Sequence, residues 1–313
     1  LEGGTSIDCG LAGTVMRFLP PVASLALGPV AFDGDASARR RPMRTTIDSL
    51  RALGVDVTDD GRGALPFSLY GTGEVAGGDL EIDASASSQF VSGLLLAAPR
   101  FTNGLRLRHT GERLPSMPHI EMTIACLAAR GVTVESPEPG VWVVAPGPIA
   151  GATIDIEPDL SNAAPFLAAA VVAGGSVTIT GWPASTTQVG ADLAHLLPHF
   201  GATVTRDGDA LTVTGGSEIT GVDLDLSTGG ELAPALVALA ALATGPSRIT
   251  GIGHLRGHET DRLAALTAEI SGLGGSVTEH EDGLDIEPSA LHGGAWRSYE
   301  DHRMATAGAI IGL

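Results

Sequence analysis

The sequence predicts an α/β protein built of repeated βαβαββ units of about 70 residues with buried helices. Two interleaved series of glycine turns carry this prediction. The first series follows helix-like segments, in "RALGVDV", "AARGVTV", "PHFGATV" and "SGLGGSV", with turn glycines Gly54, Gly131, Gly201 and Gly274. The second follows strand-like segments, in "VAFDGD", "LRLRHTG", "VTITG" and "SRITG", with Gly34, Gly111, Gly181 and Gly251. The spacings are 77, 70 and 73 residues in the first series and 77, 70 and 70 in the second.

Each unit is predicted to open with a strand ending in Asp, a loop of small residues and an apolar helix. The opening strands are "SID", "EID", "TID" and "GVD". Helices such as "LAPALVALAALATG" are apolar on nearly all faces, which is typical of helices enclosed by other elements. "WRSYEDHRMATAGAIIGL" fits the opening of a fifth unit. The Pro/Gly-punctuated segment "APGPIAGA" (145–152) predicts a boundary near residue 150, between domains 1–150 and 151–313.

Composition limits the classes of partner. The 313 residues are 43% hydrophobic and carry a formal net charge of -18, whereas nucleic acid or an anionic membrane would demand a basic surface. The apolar runs are shorter than the roughly 18 residues that a membrane span needs. Cys9 and Cys126 fit no metal spacing, and we expect them to be reduced thiols of a cytoplasmic protein.

Arginine stands at two helix starts, where capping does not explain it. The loops before the apolar helices read "AGTVMR", "SSQF", "LSN", "GGEL" and "EDHRM". Ser, Asn and Asp suit helix N-termini, but Arg17 and Arg303 there need an anionic partner, because a helix start disfavours cations. All 18 basic residues are arginine, and Arg256 and Arg262 add to the set. The pattern predicts a small, multiply anionic ligand.

Two segments leave alternatives open on the residues alone. In "ARRRPM", Arg39 and Arg40 are read as a solvated loop, and Arg41 is equally consistent with solvation and with ligand binding. "GIGHLRGHETDRL" fits neither the dinucleotide fingerprint nor the zinc-protease pattern. Its Glu259 could transfer a proton in a cationic cleft, or could form a salt bridge to Arg262 or Arg256.

Seven segments together resemble one family, the 3-phosphoshikimate 1-carboxyvinyltransferases, also called 5-enolpyruvylshikimate-3-phosphate synthases. In chain order they are "LAGTVMRF", "RRRPM", "ASASSQF", "LPSMPHI", "LSNAAPFLAAA", "GHETDRL" and "EDHRMA". "SSQF", "ETDRL" and "DHRMA" are jointly specific, and the resemblance covers essentially the whole chain. The Ala/Gly/Arg-rich, lysine-free composition resembles that of actinobacterial members. The resemblance implies the two-domain enolpyruvyl transferase fold, with three βαβαββ units around parallel helices in each domain.

The resemblance also implies a reaction. The enolpyruvyl group of phosphoenolpyruvate is transferred to the 5-hydroxyl of shikimate 3-phosphate, with release of phosphate, in the shikimate pathway of aromatic amino acid biosynthesis. Addition and elimination proceed through a tetrahedral intermediate, with no metal or organic cofactor. We expect a cytoplasmic monomer that binds these two small molecules and binds neither nucleic acid nor membrane.

Site residues are carried over from the matching motifs. The resemblance implies that eight residues hold shikimate 3-phosphate: Ser87, Ser88, Gln89, Ser116, His119, Glu231, His254 and His258. It implies that six residues hold phosphoenolpyruvate: Gly13, Thr14, Arg41, Gln89, Arg262 and Arg303. Glu231 is implied to take the proton of the 5-hydroxyl, and Glu259 to transfer a proton at the methylene carbon. Glu231 stands where Asp is common in the family. Three histidines replace the more usual Tyr, Asn and Lys, at His119, His254 and His258.

Two other functions are weighed against this one. The related enolpyruvyl transferase acting on UDP-N-acetylglucosamine usually carries a reactive cysteine before its arginine–proline pair, whereas the loop here, "GDASARRRP", has none. A non-catalytic repeat protein that binds an anion would have no use for Glu231 and Glu259 beside its arginines.

The family also has two substrate-contacting lysines, in a "PGSKS"-type loop and near the C-terminus, and neither segment is in this sequence. We therefore expect a fragment, with the first unit missing from the N-terminal domain and the end missing from the C-terminal domain. This fragment is expected to be inactive alone, and phosphate release by it at the rate of the intact enzyme would contradict the expectation.

Overall fold

The computed structural model describes residues 2–313, which contain nine α-helices and fifteen β-strands. The strands form four sheets. The chain divides into two compact units, one ending at Ile154 and the other spanning Asp155–Leu313. The "APGPIAGA" segment lies just before this division. None of the helices within residues 2–313 has the length and hydropathy that a membrane span requires.

The first unit contains two βαβαββ repeats. The elements of its first repeat are β1 (Thr5–Asp8), α1 (Gly13–Ala23), β2 (Leu27–Asp33), α2 (Arg44–Ala52), β3 (Asp56–Thr58) and β4 (Phe67–Thr72). Those of its second are β5 (Gly78–Ile82), α3 (Gln89–Ala97), β6 (Leu105–His109), α4 (Met117–Ala128), β7 (Val134–Glu138) and β8 (Val141–Val144). The sheet orders are β1-β2-β4-β3 and β5-β6-β8-β7, so the two repeats share one topology. In each, the first two strands are parallel and the other pairings are antiparallel.

The second unit contains one shortened repeat, one full repeat and a final helix. The shortened repeat consists of α5 (Leu160–Ala173), β9 (Ser176–Ile179), α6 (Leu193–Leu196), β10 (Thr203–Asp207) and β11 (Ala210–Thr214). The full repeat consists of β12 (Asp223–Asp225), α7 (Ala233–Ala241), β13 (Ser247–Thr250), α8 (Arg262–Gly272), β14 (Ser276–His280) and β15 (Gly283–Glu287), and the last helix is α9 (His302–Ile311). The full repeat again has the order β12-β13-β15-β14, with β12 and β13 parallel.

The opening strand predicted for the third repeat is absent. Residues 151–159, which include "TID", form no strand in the described part of the chain, and Ile154 and Ile156 are exposed. The sheet β10-β11-β9 therefore has three strands instead of four. Two further differences concern opening strands. The "GVD" strand starts at Asp223 instead of ending there, and the fifth unit shows α9 but no opening strand, since residues 288–301 form none.

The glycines of the first series are required by backbone conformation. Gly54, Gly131, Gly201 and Gly274 have φ values of 87°, 78°, 90° and 89°. A residue with a Cβ atom is sterically destabilised in this left-handed region, whereas glycine adopts it readily. The recurrence that predicted the repeats therefore has a steric cause.

The apolar helices form the cores of the two units, as their composition predicts. Every residue of α7 is buried, and α7 packs against α5 and α9. In the first unit α3 lies between α1 and α4. Helices with apolar residues on all faces are stable in this setting because each face contacts another element.

The two cysteines differ in environment, and this predicts a difference in reactivity. Burial, reinforced by the charges of Asp8 and Asp33, raises the pKa of the Cys9 thiol to about 11. Cys126 is exposed on α4. At pH 8 we expect a chromogenic disulfide reagent to modify Cys126 rapidly and Cys9 only after unfolding, because about one part in 1,000 of Cys9 is thiolate. Equal rates for both thiols in the native protein would contradict this.

Candidate active site

A close helix crossing places Arg17 over the start of α3. A Cβ atom on Gly93 would lie 2.3 Å from the Arg17 carbonyl oxygen, so glycine permits α1 and α3 to approach each other. The buried Arg17 guanidinium donates to Gln89 Oε1 at 2.7 Å and to Ser87 Oγ at 3.5 Å. It also lies over the Phe90 ring, 5.1 Å from its centroid. Arg17 thus orients two predicted ligand-binding side chains in the first turn of α3.

Arg41 reaches the start of α1 because residue 13 is glycine. Arg41 is buried and donates from Nη1 to the Leu11 carbonyl oxygen at 3.1 Å. A Cβ atom on Gly13 would lie 2.6 Å from Arg41 Nη2. Thr14, the next residue, is exposed. The structure therefore brings Gly13, Thr14 and Arg41 together, and the reading of Arg41 as a solvated loop residue is wrong.

Helix α4 packs against α3. Thr123 Oγ1 donates to Ser92 Oγ at 2.8 Å in the core and joins the two helices. Ser88 is buried at the start of α3. Ser116 precedes α4 in the left-handed conformation, with φ 52° and ψ 49°. Such a conformation is unfavourable for serine and is concentrated at functional sites.

In the second unit, Arg262 is the centre of a buried ionic cluster. Its Nε donates to Asp301 Oδ2 at 2.8 Å, and its Nη2 donates to Glu259 Oε2 at 2.7 Å. The side chains of Arg262 and Asp301 are 2% and 0% exposed, whereas that of Glu259 is 21% exposed. Glu259 thus forms the salt bridge to Arg262 that the sequence left open, and it keeps access to solvent.

Arg303 lies beside this cluster, in the first turn of α9. Its Nη2 donates to Ser161 Oγ at 3.0 Å. Burial lowers the pKa of the Arg303 guanidinium, and the positive charge of Arg262 lowers it further. Glu231, Asp159 and Asp301 act in the opposite direction. Arg262 and Arg303 lie at the starts of α8 and α9, and their guanidinium groups repel each other. An anion bound beside them would stabilise both charges.

His254 and His258 border the two glutamates. A Cβ atom on Gly230 would lie 2.5 Å from His254 Nε2, so the imidazole packs against the residue before Glu231. The rings of His254 and His258 meet edge to face with centroids 5.9 Å apart. His258 Nδ1 is 3.5 Å from Arg262 Nη1. The second unit therefore assembles all of its predicted site residues: Glu231, His254, His258, Glu259, Arg262 and Arg303.

Other arginines have partners within the fold. Arg256 donates to Asp261, Glu279 and the carbonyl oxygens of Glu281 and His280. These bonds fix the loop that carries Glu259, so Arg256 supports the loop. Arg39 pairs with Asp33 on the surface, as the solvated-loop interpretation predicts.

The sequence predicts only a capping role for the Asp of "EDHRM", which is Asp301. Asp301 does cap α9, since it accepts from the backbone N–H of Arg303 and Met304. It also bonds Arg262 in the core. The cap was visible in "EDHRM", but its partner lies 39 residues away on another helix, so no local pattern reports the pair.

The chain is similar to known proteins of one family. A family model described as EPSP synthase (3-phosphoshikimate 1-carboxyvinyltransferase) matches residues 2–313. A protein named 3-phosphoshikimate 1-carboxyvinyltransferase from the actinobacterium Kocuria rhizophila is 61% identical over 308 residues, which are 98% of this chain and 69% of the relative.

Two solved structures of EPSP synthase from Acinetobacter baumannii are similar as well. Each is 26% identical and matches 99% of this chain. One gives a TM-score of 0.75 over 73% of its own chain, and the other gives 0.74 over 72%. The predicted fold class is confirmed. Because the family model matches residues 2–313, the chain belongs to the EPSP synthase (3-phosphoshikimate 1-carboxyvinyltransferase) family.

Proposed function

We propose that the clusters in the two units are the substrate-binding and catalytic groups for the reaction of this family. That reaction transfers the enolpyruvyl group of phosphoenolpyruvate to the 5-hydroxyl of shikimate 3-phosphate and releases phosphate. The observation that carries the assignment is the pair of adjacent cations, Arg262 and Arg303, with the carboxylates of Glu231 and Glu259 beside them.

Phosphoenolpyruvate supplies the anion that these cations require. In our proposal Arg262, Arg303 and Arg41 neutralise its phosphate and carboxylate, and Gly13, Thr14 and Gln89 complete its binding groups. Arginine suits this task because its planar donors pair with both oxyanions. The repulsion between Arg262 and Arg303 supports the assignment, since a bound anion relieves it.

Shikimate 3-phosphate is assigned to hydroxyl, amide and imidazole donors. Ser87, Ser88 and Gln89 lie at the start of α3, where backbone N–H groups also favour an anion. Ser116 and His119 belong to the start of α4, the helix that packs against α3. His254 and His258 border the carboxylates in the second unit. We assign all of these residues, together with Glu231, to shikimate 3-phosphate.

The two carboxylates divide the proton transfers. Glu231 removes the proton of the 5-hydroxyl as its oxygen bonds to C2 of phosphoenolpyruvate, while C3 accepts a proton from the acid form of Glu259. Loss of phosphate from the tetrahedral intermediate then restores the double bond: one C3 proton returns to Glu259, and the departing phosphate takes the proton that Glu231 removed from the hydroxyl. General acid–base catalysis of this kind needs both groups within reach of the reacting atoms.

The test is phosphate release by the protein expressed from its complete gene. Release is expected with phosphoenolpyruvate plus shikimate 3-phosphate, and with neither substrate alone. Release only with UDP-N-acetylglucosamine as acceptor would instead indicate the related transferase. Binding of both anions without any phosphate release would indicate the non-catalytic alternative.

Gly13→Ala should weaken phosphoenolpyruvate binding without unfolding the protein. The new Cβ atom would meet Arg41 Nη2, the end of a flexible side chain, so the guanidinium moves while α1 stays in place. We expect the dissociation constant to rise about tenfold, the scale of one lost charge-assisted hydrogen bond. Calorimetric titration and thermal unfolding measure both effects. Gly272→Ala is the matched control, because its Cβ atom meets nothing within 4 Å, and unchanged affinity in Gly13→Ala would contradict the role of Arg41.

We further propose that the protein acts as a monomer in the cytoplasm. The free thiols Cys9 and Cys126 are compatible with a reducing compartment. Light scattering of the protein from its complete gene tests the monomer, and a mass twice that of one chain would contradict it.

A further inference from the structure

The segment before α9 has a strained backbone. Tyr299 and Glu300 are consecutive non-glycine residues with φ values of 55° and 56°. The left-handed conformation is unfavourable for both, so surrounding contacts must hold the pair in place. The strained pair lies immediately before Asp301, which caps α9, and within four residues of Arg303.

One buried carboxylate on α8 makes these contacts. Glu269 accepts from the Arg297 backbone N–H and from Arg297 Nε, each at 2.9 Å, and from the Tyr299 hydroxyl. Arg297 also lies over the Tyr299 ring, 5.3 Å from its centroid. Glu269 is 4% exposed, so these bonds replace water around its charge.

The ionisation of Glu269 agrees with this arrangement. Burial acts to raise the pKa of its carboxyl, but the hydrogen bonds from Tyr299 and Arg297 outweigh burial and hold the pKa below its usual range. The same bond raises the pKa of the Tyr299 hydroxyl. Glu269 is therefore a carboxylate at neutral pH, with its acceptors directed at the strained segment.

Helix α8 holds the segment at two points. Glu269 lies seven residues after Arg262, on the same side of the helix. Arg262 bonds Asp301 at the end of the segment, and Glu269 bonds Arg297 and Tyr299 at its beginning. With both ends fixed, the direction in which Arg303 leaves the first turn of α9 is fixed as well.

We propose that Glu269 is a positioning residue for Arg303, which it serves by holding residues 297–300 in their strained conformation. The effect of Glu269 on phosphoenolpyruvate binding rests on the proposed function, in which Arg303 binds phosphoenolpyruvate. The effect of Glu269 on the backbone of residues 297–300 does not depend on that function.

The first measurement does not depend on activity. The amides of Arg303 and Met304 donate to Asp301 Oδ1, and their hydrogen exchange reports the order of this turn. In Glu269→Ala we expect their exchange to accelerate about tenfold, the scale of one lost charge-assisted hydrogen bond, with the amides of α7 unchanged. Exchange at the wild-type rate for Arg303 and Met304, or equal acceleration throughout α7, would overturn the proposal.

The second measurement separates positioning from general destabilisation. In the enzyme from its complete gene, Glu269→Ala should raise the KM for phosphoenolpyruvate about tenfold, and Tyr299→Phe about threefold, with the KM for shikimate 3-phosphate unchanged. Glu287→Gln, at an exposed end of β15, is the control. If both KM values rise together, Glu269 is merely structural. If the wild type uses neither substrate, the proposed function fails, and the exchange measurement still decides the role of Glu269.

Discussion

Glu259→Gln is expected to lower kcat by about 10²–10⁴-fold, the usual contribution of general acid–base catalysis. Glutamine keeps the shape of the side chain and can still accept from Arg262 Nη2, so the cluster stays assembled. It cannot donate a proton to C3 and take one back. The KM for phosphoenolpyruvate should therefore change far less than kcat. Steady-state phosphate release by the enzyme from its complete gene measures both constants.

The matched control for this substitution is Glu287→Gln, which makes the same chemical change at the exposed end of β15 in the same unit. It should leave kcat unaltered. Turnover by Glu259→Gln at the wild-type rate would end the proton-transfer assignment and leave Glu259 as a salt-bridge partner of Arg262. A large rise in KM with constant kcat would have the same meaning.

Asp301→Ala should lower the free energy of unfolding of the second unit more than two other substitutions of helix-capping aspartates, Asp301→Asn and Asp159→Ala. The substitution leaves the Arg262 guanidinium in the core without its most buried partner, and removing one member of a buried ion pair costs about 3–5 kcal/mol. Loss of the α9 cap adds about 1 kcal/mol. Urea unfolding followed by tryptophan fluorescence measures the loss. Trp296, one of three tryptophans, contributes to this signal from α9, because its indole bonds the Met304 carbonyl oxygen.

Two further variants separate the ion pair from the cap. Asp159→Ala removes the equivalent cap of α5, where Asp159 bonds Ser161 and Asn162 on the surface, and should cost about 1 kcal/mol. Asp301→Asn keeps a capping acceptor but loses the charge. Its loss of stability should therefore lie between those of Asp159→Ala and Asp301→Ala. If Asp301→Ala and Asp159→Ala were equally destabilising, the buried pair would contribute nothing beyond capping.

The repeated fold could be predicted because its cause is local. The glycines of the first series recur because the backbone there has a positive φ, which glycine adopts without steric cost. The missing opening strand of the third repeat could not be predicted. "TID" has the same pattern as "SID" and "EID", but a strand also needs a partner, and pairing is decided by tertiary structure.

The sequence predicts which residue types form the candidate site, but it predicts their hydrogen-bond partners less well. Arg256 and Arg262 are both arginines of one loop and helix start, yet the first is held by Asp261 and Glu279 and the second by Asp301. Glu269 was missed altogether. The signal for it was present, because Glu269 interrupts the buried face that Leu266 and Ile270 form on α8. A lone carboxylate on an apolar helix face indicates a polar partner across the core.

The sheets described above have a consequence for biosynthesis. Each is drawn from one continuous stretch of chain, namely 5–72, 78–144, 176–214 and 223–287. Strand pairing therefore never requires closure of a loop longer than one repeat, which keeps its entropic cost small. Each repeat can complete its hydrogen-bonded ladder soon after leaving the ribosome, while the next is still being translated. Few unpaired strand edges are then exposed to neighbouring nascent chains, which limits aggregation during synthesis.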